Sequence, residues 1–342
     1  MAKELTCYFT KVKLVIIKQS LFLAALFFLT SSSNAFSSDS TSPADCTTVD
    51  LRTEYPLKMR NQGGVSWCYA HAAADYLQFY NRIPEQISAS DIAINYNQRF
   101  WPRFLHWWKG GIVPQTGLIR NALYDADAEG YCSEEYFPSE KWTRRIMAGK
   151  NVGALEMVPL NTAFQDIDSM LAQISNGTYQ KPGDLPFIYE FKGMTHQQFF
   201  DAVFANDSTG NALDQIRLSA CADHRKPYAK TIADIRMSFN IGDSFSQINR
   251  QLNQHMPVSV DFFYGFLDDI DSYSKSLNEL HTTLLIGRRF SAETQECQYL
   301  IKNSYGTDCA EYDHRHQCEN GNVWVGEKSL DHAMTSMVYI AD

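Results

Sequence analysis

The chain has 342 residues, 44% of them hydrophobic and 13% aromatic, enough apolar material for one large domain or two small ones. A charged fraction of 20% without a long single-sign run excludes global disorder. The net charge of −9, with no basic cluster, argues against nucleic acid as a partner.

Residues 1–35 have the pattern of a signal peptide. Lys3, Lys11, Lys13 and Lys18 form a basic lead, the apolar run "LFLAALFFL" follows, and Ser33-Asn34-Ala35 supplies a small-x-small cleavage site after Ala35. The apolar run is far short of the roughly 20 residues that span a bilayer, so cleavage and export are expected rather than anchoring. Losing four Lys and one Glu with this segment takes the net charge from −9 to −12. The expectation is an acidic secreted or periplasmic protein, without stable membrane insertion and acting as a monomer.

Residues 36–49 are Ser/Thr-rich and read as an exposed lead-in. From Cys68 to Arg82, apolar residues at Tyr69, Ala72, Ala73, Tyr76, Leu77 and Tyr80 trace one face of a helix, closed by Pro84. Gly63-Gly64 put bare backbone just upstream. "SASDIAINYNQRF" predicts a second helix with Ser88 or Ser90 as N-cap, and a third spans about Gln115 to Ala128. Residues 143–240 read as an inserted helical region, with amphipathic stretches at Phe164–Ile174 and Thr195–Phe204. The last hundred residues open on a helix, "SFSQINRQLNQ". Short strands follow in "PVSVDFFY", "HTTLLIG", "CQYLIKNSYG", "NVWVGE" and "TSMVYIAD". Helices first and antiparallel strands afterwards predict an α+β fold, with a helical half (50–142), the insertion (143–240), a β-rich half (241–342) and a cleft between the halves.

Once Cys7 leaves with the signal, seven cysteines remain, so an oxidising compartment leaves one thiol over. Cys309 and Cys318 bracket a short polar loop and are the easiest pair to suggest; the other connectivities stay open. Asp313, His314 and His316 lie inside that loop and imitate a metal site, but a disulfide-closed loop explains it better. No metal or cofactor is expected. His71, one turn after Cys68, reads as a core histidine.

A thiol attacks carbonyls as thiolate, and a helix N-terminus or an imidazolium stabilises that anion. Cys68 stands at a helix start. His281 opens the strand "TTLLIG", where a stiff backbone can hold an imidazole. Asn303, at the end of the next strand, can fix its tautomer. Gln62 can donate to a developing oxyanion beside the Cys68 N–H.

These residues resemble a papain-family cysteine peptidase. The family's "NQGxxGSCW" is "NQGGVSWCY" here, "ISASDIA" resembles its "LSEQxLVDC", and Gly110-Gly111 followed by "GYCSEEYFPSE" resembles its glycine pair and "EExYPY" turn. "INRQLNQHMPVSVDF" matches the helix and strand before the histidine, and "LIKNSYGTDC…ENGNVWV" matches "LIKNSWGxxWGExGYxxI", all in family order over residues 50–340. The resemblance implies a papain-like fold with a β-barrel-like right half. It implies Cys68 as nucleophile, His281 as base and acid, Asn303 as orienter and Gln62 as oxyanion donor. Gly110 and Gly111 would pair with an extended protein or peptide substrate.

Departures are equally specific. Ser66-Trp67 replaces Gly-Ser and is expected to add bulk where substrate passes. Val65 replaces a cysteine, and Tyr305 replaces the tryptophan that covers the His–Asn bond. Cys68 and His281 are 213 residues apart, against roughly 130–150 for the family; the insertion accounts for the excess and is expected to cap the cleft. The lead before "VDLR" is too short for the family's long prosegment, so latency would arise elsewhere. The function implied is a cysteine endopeptidase with a thioester acyl-enzyme. A Cys-His amidase or transamidase, or an inactive binding module of the same fold, would carry much of the same constellation.

Overall fold

The computed structural model describes residues 46–99, 117–147, 153–239, 244–276, 279–310 and 312–341. The expected signal segment 1–35 and the Gly110-Gly111 pair lie outside them. In chain order the elements are β1 (Val49–Asp50), α1 (Cys68–Asn81), α2 (Ala89–Asn97), α3 (Ile119–Glu129), β2 (Lys141–Ile146), β3 (Leu155–Pro159) and α4 (Leu160–Ser175). There follow β4 (Phe187–Glu190), α5 (His196–Phe204), α6 (Thr209–Cys221), β5 (Asp234–Ser238), α7 (Ser244–Asn253), β6 (Val258–Phe263) and β7 (Leu280–Ser291). The chain closes with β8 (Glu296–Lys302), β9 (Gln317–Glu319), β10 (Asn322–Gly326), α8 (Glu327–Ala333) and β11 (Met334–Ala341).

The fold is α+β. One antiparallel sheet runs β5-β11-β6-β7-β8-β10-β9, with β1 added on β7. Helix α1 packs on β7 from one side and on α2 and α3 from the other. It is buried nearly all round, which its alanines Ala70, Ala72, Ala73 and Ala74 allow by letting neighbouring backbones come close. Ser88 caps α2 by accepting from the Asp91 N–H at 3.0 Å, and the C-terminus of α3 ends at Gly130.

The 143–240 segment differs from the helical insertion expected. Helices α4 and α5 form where the amphipathic pattern put them; α4 buries Leu160, Ala163, Phe164, Ile167, Met170 and Leu171 at helical spacing. The segment also carries strands, in a small antiparallel sheet of order β3-β2-β4, and β5 at its end joins the large sheet on β11. These strands are short and charged ("KWTRRI", "LEMVP", "FIYE"), so no clean alternation announced them. Trp142, Phe164 and Phe191 form the aromatic centre between this small sheet and α4.

Three disulfides join Cys46 to Cys297, Cys132 to Cys221 and Cys309 to Cys318, leaving Cys68 as the free thiol among the described residues. The first changes the reading of the lead-in at Cys46, while Thr47 and Thr48 are exposed as expected. Cys46 is buried, and Arg288 donates to the Thr47 carbonyl at 2.9 Å, so residues 46–49 are tied to the sheet. The second, with Arg217 and Arg225 paired to Asp91, fastens α6 beneath α2.

Candidate active site

Cys68 is the first residue of α1, and its N-cap, Trp67, offers no side-chain acceptor. The N–H groups of Ala70 and His71 donate to the Trp67 carbonyl at 2.9 and 3.1 Å, and the Tyr69 N–H points at the thiol. The approach is shaped by a tight loop. Asn61 Oδ1 accepts from the Gly63 N–H at 2.9 Å, and Gly63 sits at φ +56°, a region side chains avoid.

A second loop, 303–306, is laced to the first. Gln62 N–H donates to the Ser304 carbonyl at 2.8 Å, and Gly306 N–H donates to the Arg60 carbonyl at 2.8 Å. Ser304 Oγ donates to Gln62 Oε1 at 2.6 Å, which leaves the amide Nε2 as that side chain's donor end. Gly321 packs against this loop at φ +77°; a Cβ there would lie 1.9 Å from the Gly306 carbonyl oxygen. Behind both loops lies a buried ionic cluster. Arg60 donates to Asp75 at 2.6 Å and to Glu134 at 3.0 Å, while Lys302, next to Asn303, pairs with Asp75. Two cations meet two carboxylates, so charge is balanced where the loops are anchored.

His281 lies on β7 opposite Phe262 of β6, and its ring meets Asn303: Nε2 to Oδ1 is 2.7 Å. The amide orientation of Asn303 follows from its other partners. Oδ1 also accepts from the Ser304 N–H at 2.8 Å, and Nδ2 donates to Tyr312 Oη at 3.0 Å. An oxygen that only accepts requires a proton on Nε2, so neutral His281 is the Nε2–H tautomer and Nδ1 is its acceptor. Tyr305 Oη lies 3.2 Å from Nδ1, and its ring stacks on the imidazole with centroids 5.0 Å apart. Tyr264 meets both rings edge-on.

Electrostatics keep this site neutral. Burial pulls His281 down to about 4, against a raising effect from the Asn303 bond. Burial pushes the Cys68 thiol up, and the Asp261 carboxylate pushes the same way; N–H groups of Thr282 and Tyr69 and the Thr282 hydroxyl oppose it. Asp261 is itself raised by burial and accepts from Ser336 Oγ and Thr282 Oγ1, both at 2.5 Å. No cation pairs with it among the described residues. Sequence reasoning missed Asp261: nothing in "PVSVDFF" distinguishes a carboxylate whose charge reaches Cys68 from a solvated one.

Of the other expected site residues, Ser66 is exposed beside Cys68. Trp67 is not at the lip. It is 0% exposed and packs on Phe164 of α4 at 5.3 Å between centroids, so α4 supplies an aromatic partner that covers it. Its place as a substrate contact is therefore corrected to a core anchor. Gly110 and Gly111 lie outside the described residues. In the 309–318 loop, Asp313 pairs with Arg315 and His316 Nε2 meets the Phe266 carbonyl at 3.1 Å. Both are thus engaged in holding the loop.

No protein-family model matches the chain, and no curated protein does. Among solved structures it is similar to the proform of the Amb a 11 cysteine protease, a ragweed pollen allergen, at 11% identity and a TM-score of 0.44 over 86% of this chain; it spans 64% of that protein's length. It is also similar to digestive procathepsin L 3 of Tenebrio molitor larval midgut, at 14% identity and a TM-score of 0.43, covering 91% of this chain and 72% of the other. Procathepsin L2 from the same midgut gives 14%, 0.44, 86% and 68%.

Proposed function

We propose that the protein is a papain-like cysteine endopeptidase that cleaves peptide bonds through a thioester acyl-enzyme, acting outside the cytoplasm. The observation that supports the reading is the doubly engaged Asn303 Oδ1, which fixes the His281 tautomer and makes Nδ1 the nitrogen with a lone pair. In this reading the Cys68 proton passes to Nδ1 as Sγ attacks the scissile carbonyl. The oxyanion is met by the Cys68 N–H and by Gln62 Nε2, whose other end is held by Ser304. Asn303 supports the imidazolium, which then protonates the leaving amine. His281 next takes a proton from water, and the hydroxide so formed breaks the thioester and frees Cys68. A short extended peptide is the expected substrate.

The test is turnover of a peptide library by wild type and Cys68→Ala, with an epoxide-type thiol inhibitor mapped by mass spectrometry. Cleavage lost in the variant and an adduct on Cys68 are expected. Equal turnover by both proteins, or an adduct elsewhere, overturns the reading.

A further inference from the structure

We propose that Tyr305 is a positioning residue that reserves the base: its phenol donates to His281 Nδ1 and holds the resting site in a neutral, latent state. The inference rests on the peptidase reading above and goes beyond it. The chain of hydrogen bonds leaves one polarity. Asn303 Oδ1 is committed as an acceptor by the Ser304 N–H, so His281 carries its proton on Nε2 and presents a lone pair at Nδ1. Tyr305 Oη, 3.2 Å from that lone pair, must then be the donor. Burial raises this phenol, which keeps it protonated.

The consequence concerns the thiol. Nδ1 is the nitrogen that must accept the Cys68 proton, and neither ring nitrogen of His281 is hydrogen-bonded to the thiol in this structure. A bond to the neutral form of a base disfavours its protonation, so the phenol competes with the thiol for the same lone pair. Around the pair stand His71 on α1, Asp261 on β6, and the phenols of Tyr264 and Tyr312. None of them is a cation that would hold a thiolate in the phenol's place. When the phenol leaves, the proton can pass from Sγ to Nδ1, giving thiolate and imidazolium. The Tyr305 side chain is held in place by this bond, by its stack on His281 and by the edge-on Tyr264, while its backbone is bridged to Asn61.

The experiment is the pH profile of iodoacetamide alkylation at Cys68, followed by mass spectrometry, in wild type, Tyr305→Phe and Tyr305→Phe/His281→Ala. Tyr305→Trp serves as the second variant should Phe disturb folding, and melting temperatures accompany each. Removing the phenol is expected to raise the rate at pH 6–7 by about fivefold, the scale of one net hydrogen bond, and to extend reactivity to lower pH. Removing His281 as well should erase that gain. A Tyr305→Phe profile superimposable on wild type, or a gain that survives loss of His281, overturns the latch. Peptide turnover by His281→Ala equal to wild type overturns the peptidase reading instead, so the two failures are told apart.

Discussion

Helix α1 carries a histidine that should make the protein acid-sensitive in a defined window. His71 is buried, its Nδ1 has no partner, and burial, aided by the neighbouring Arg60, pulls it down to about 3. In the unfolded chain it titrates at about 6.5. Between those values the unfolded state binds a proton the native state refuses, so stability is full above pH 6.5 and is lost as pH falls toward 3. At pH 4 the cost is about 2.5 units at 1.36 kcal/mol each, or about 3 kcal/mol. That is a large share of the 5–15 kcal/mol that holds a typical domain together. His281, pulled down to about 4, adds a loss of the same sign. The assay is urea unfolding at pH 7 and pH 4 for wild type and His71→Gln, which keeps a polar side chain that does not titrate. The variant should lose about 3 kcal/mol less than wild type between the two pH values. Asp75, whose carboxyl is held low by Lys302 and Arg60 despite burial, loses its contribution only as pH falls below the ordinary carboxylate value of about 3.9, under the acid end of this assay. Equal losses in both proteins would refute the claim that His71 is buried neutral.

Other consequences follow from the same geometry. Asp75→Asn strands the buried cations Arg60 and Lys302 with one carboxylate between them and should cost about 3–5 kcal/mol in chemical denaturation. Asp261→Asn removes a charge that raises the thiol, so the pH midpoint for Cys68 alkylation should move down; an upward or null shift would contradict the placement of that carboxylate. Trp67→Ala empties the pocket against Phe164 and should cost about 3–5 kcal/mol of stability. Because Trp67 is buried, its truncation should not selectively alter KM once the folded fraction is accounted for.

Much of the site was legible because it is local in the chain or repeats with a period. The Cys68 helix, the strand of His281, the end of β8 at Asn303 and the amphipathic faces of α4 and α5 each announce themselves within one continuous stretch of about fifteen residues or fewer. What was hidden depends on distant partners. Trp67 reads as lip or core according to whether α4, nearly a hundred residues on, returns to cover it. Cys46 and Cys297 are 251 positions apart, and no spacing rule connects them. The direction of the Tyr305 hydroxyl depends on loop 303–306 being stitched to loop 60–62, a pairing that neither loop's composition encodes.

The segment 143–240 was expected to sit over or beside the cleft as a cap that limits substrate size, and its packing argues for a different role. Its helix α4 brings Phe164 against the ring of Trp67, the residue before the Cys68 helix, and Trp142, just ahead of the segment on β2, packs edge-on against Phe164. Its helix α6 is joined by Cys221 to Cys132, and Arg217 reaches the buried Asp91 of α2. Its last strand, β5, supplies the edge of the large sheet on β11. A removable cap touches the cleft with a polar face and leaves the core intact. This segment instead contributes Leu160, Ile167, Ile188, Phe199, Leu213 and Ile216 to the core itself. Deleting residues 143–230 should therefore abolish folding, read as loss of near-UV dichroism and of a cooperative melt, rather than widen the range of substrates. A folded deletion variant that cleaves larger proteins would restore the cap and overturn this argument, since the Cys68 helix would then have been shown to stand without Phe164 against Trp67.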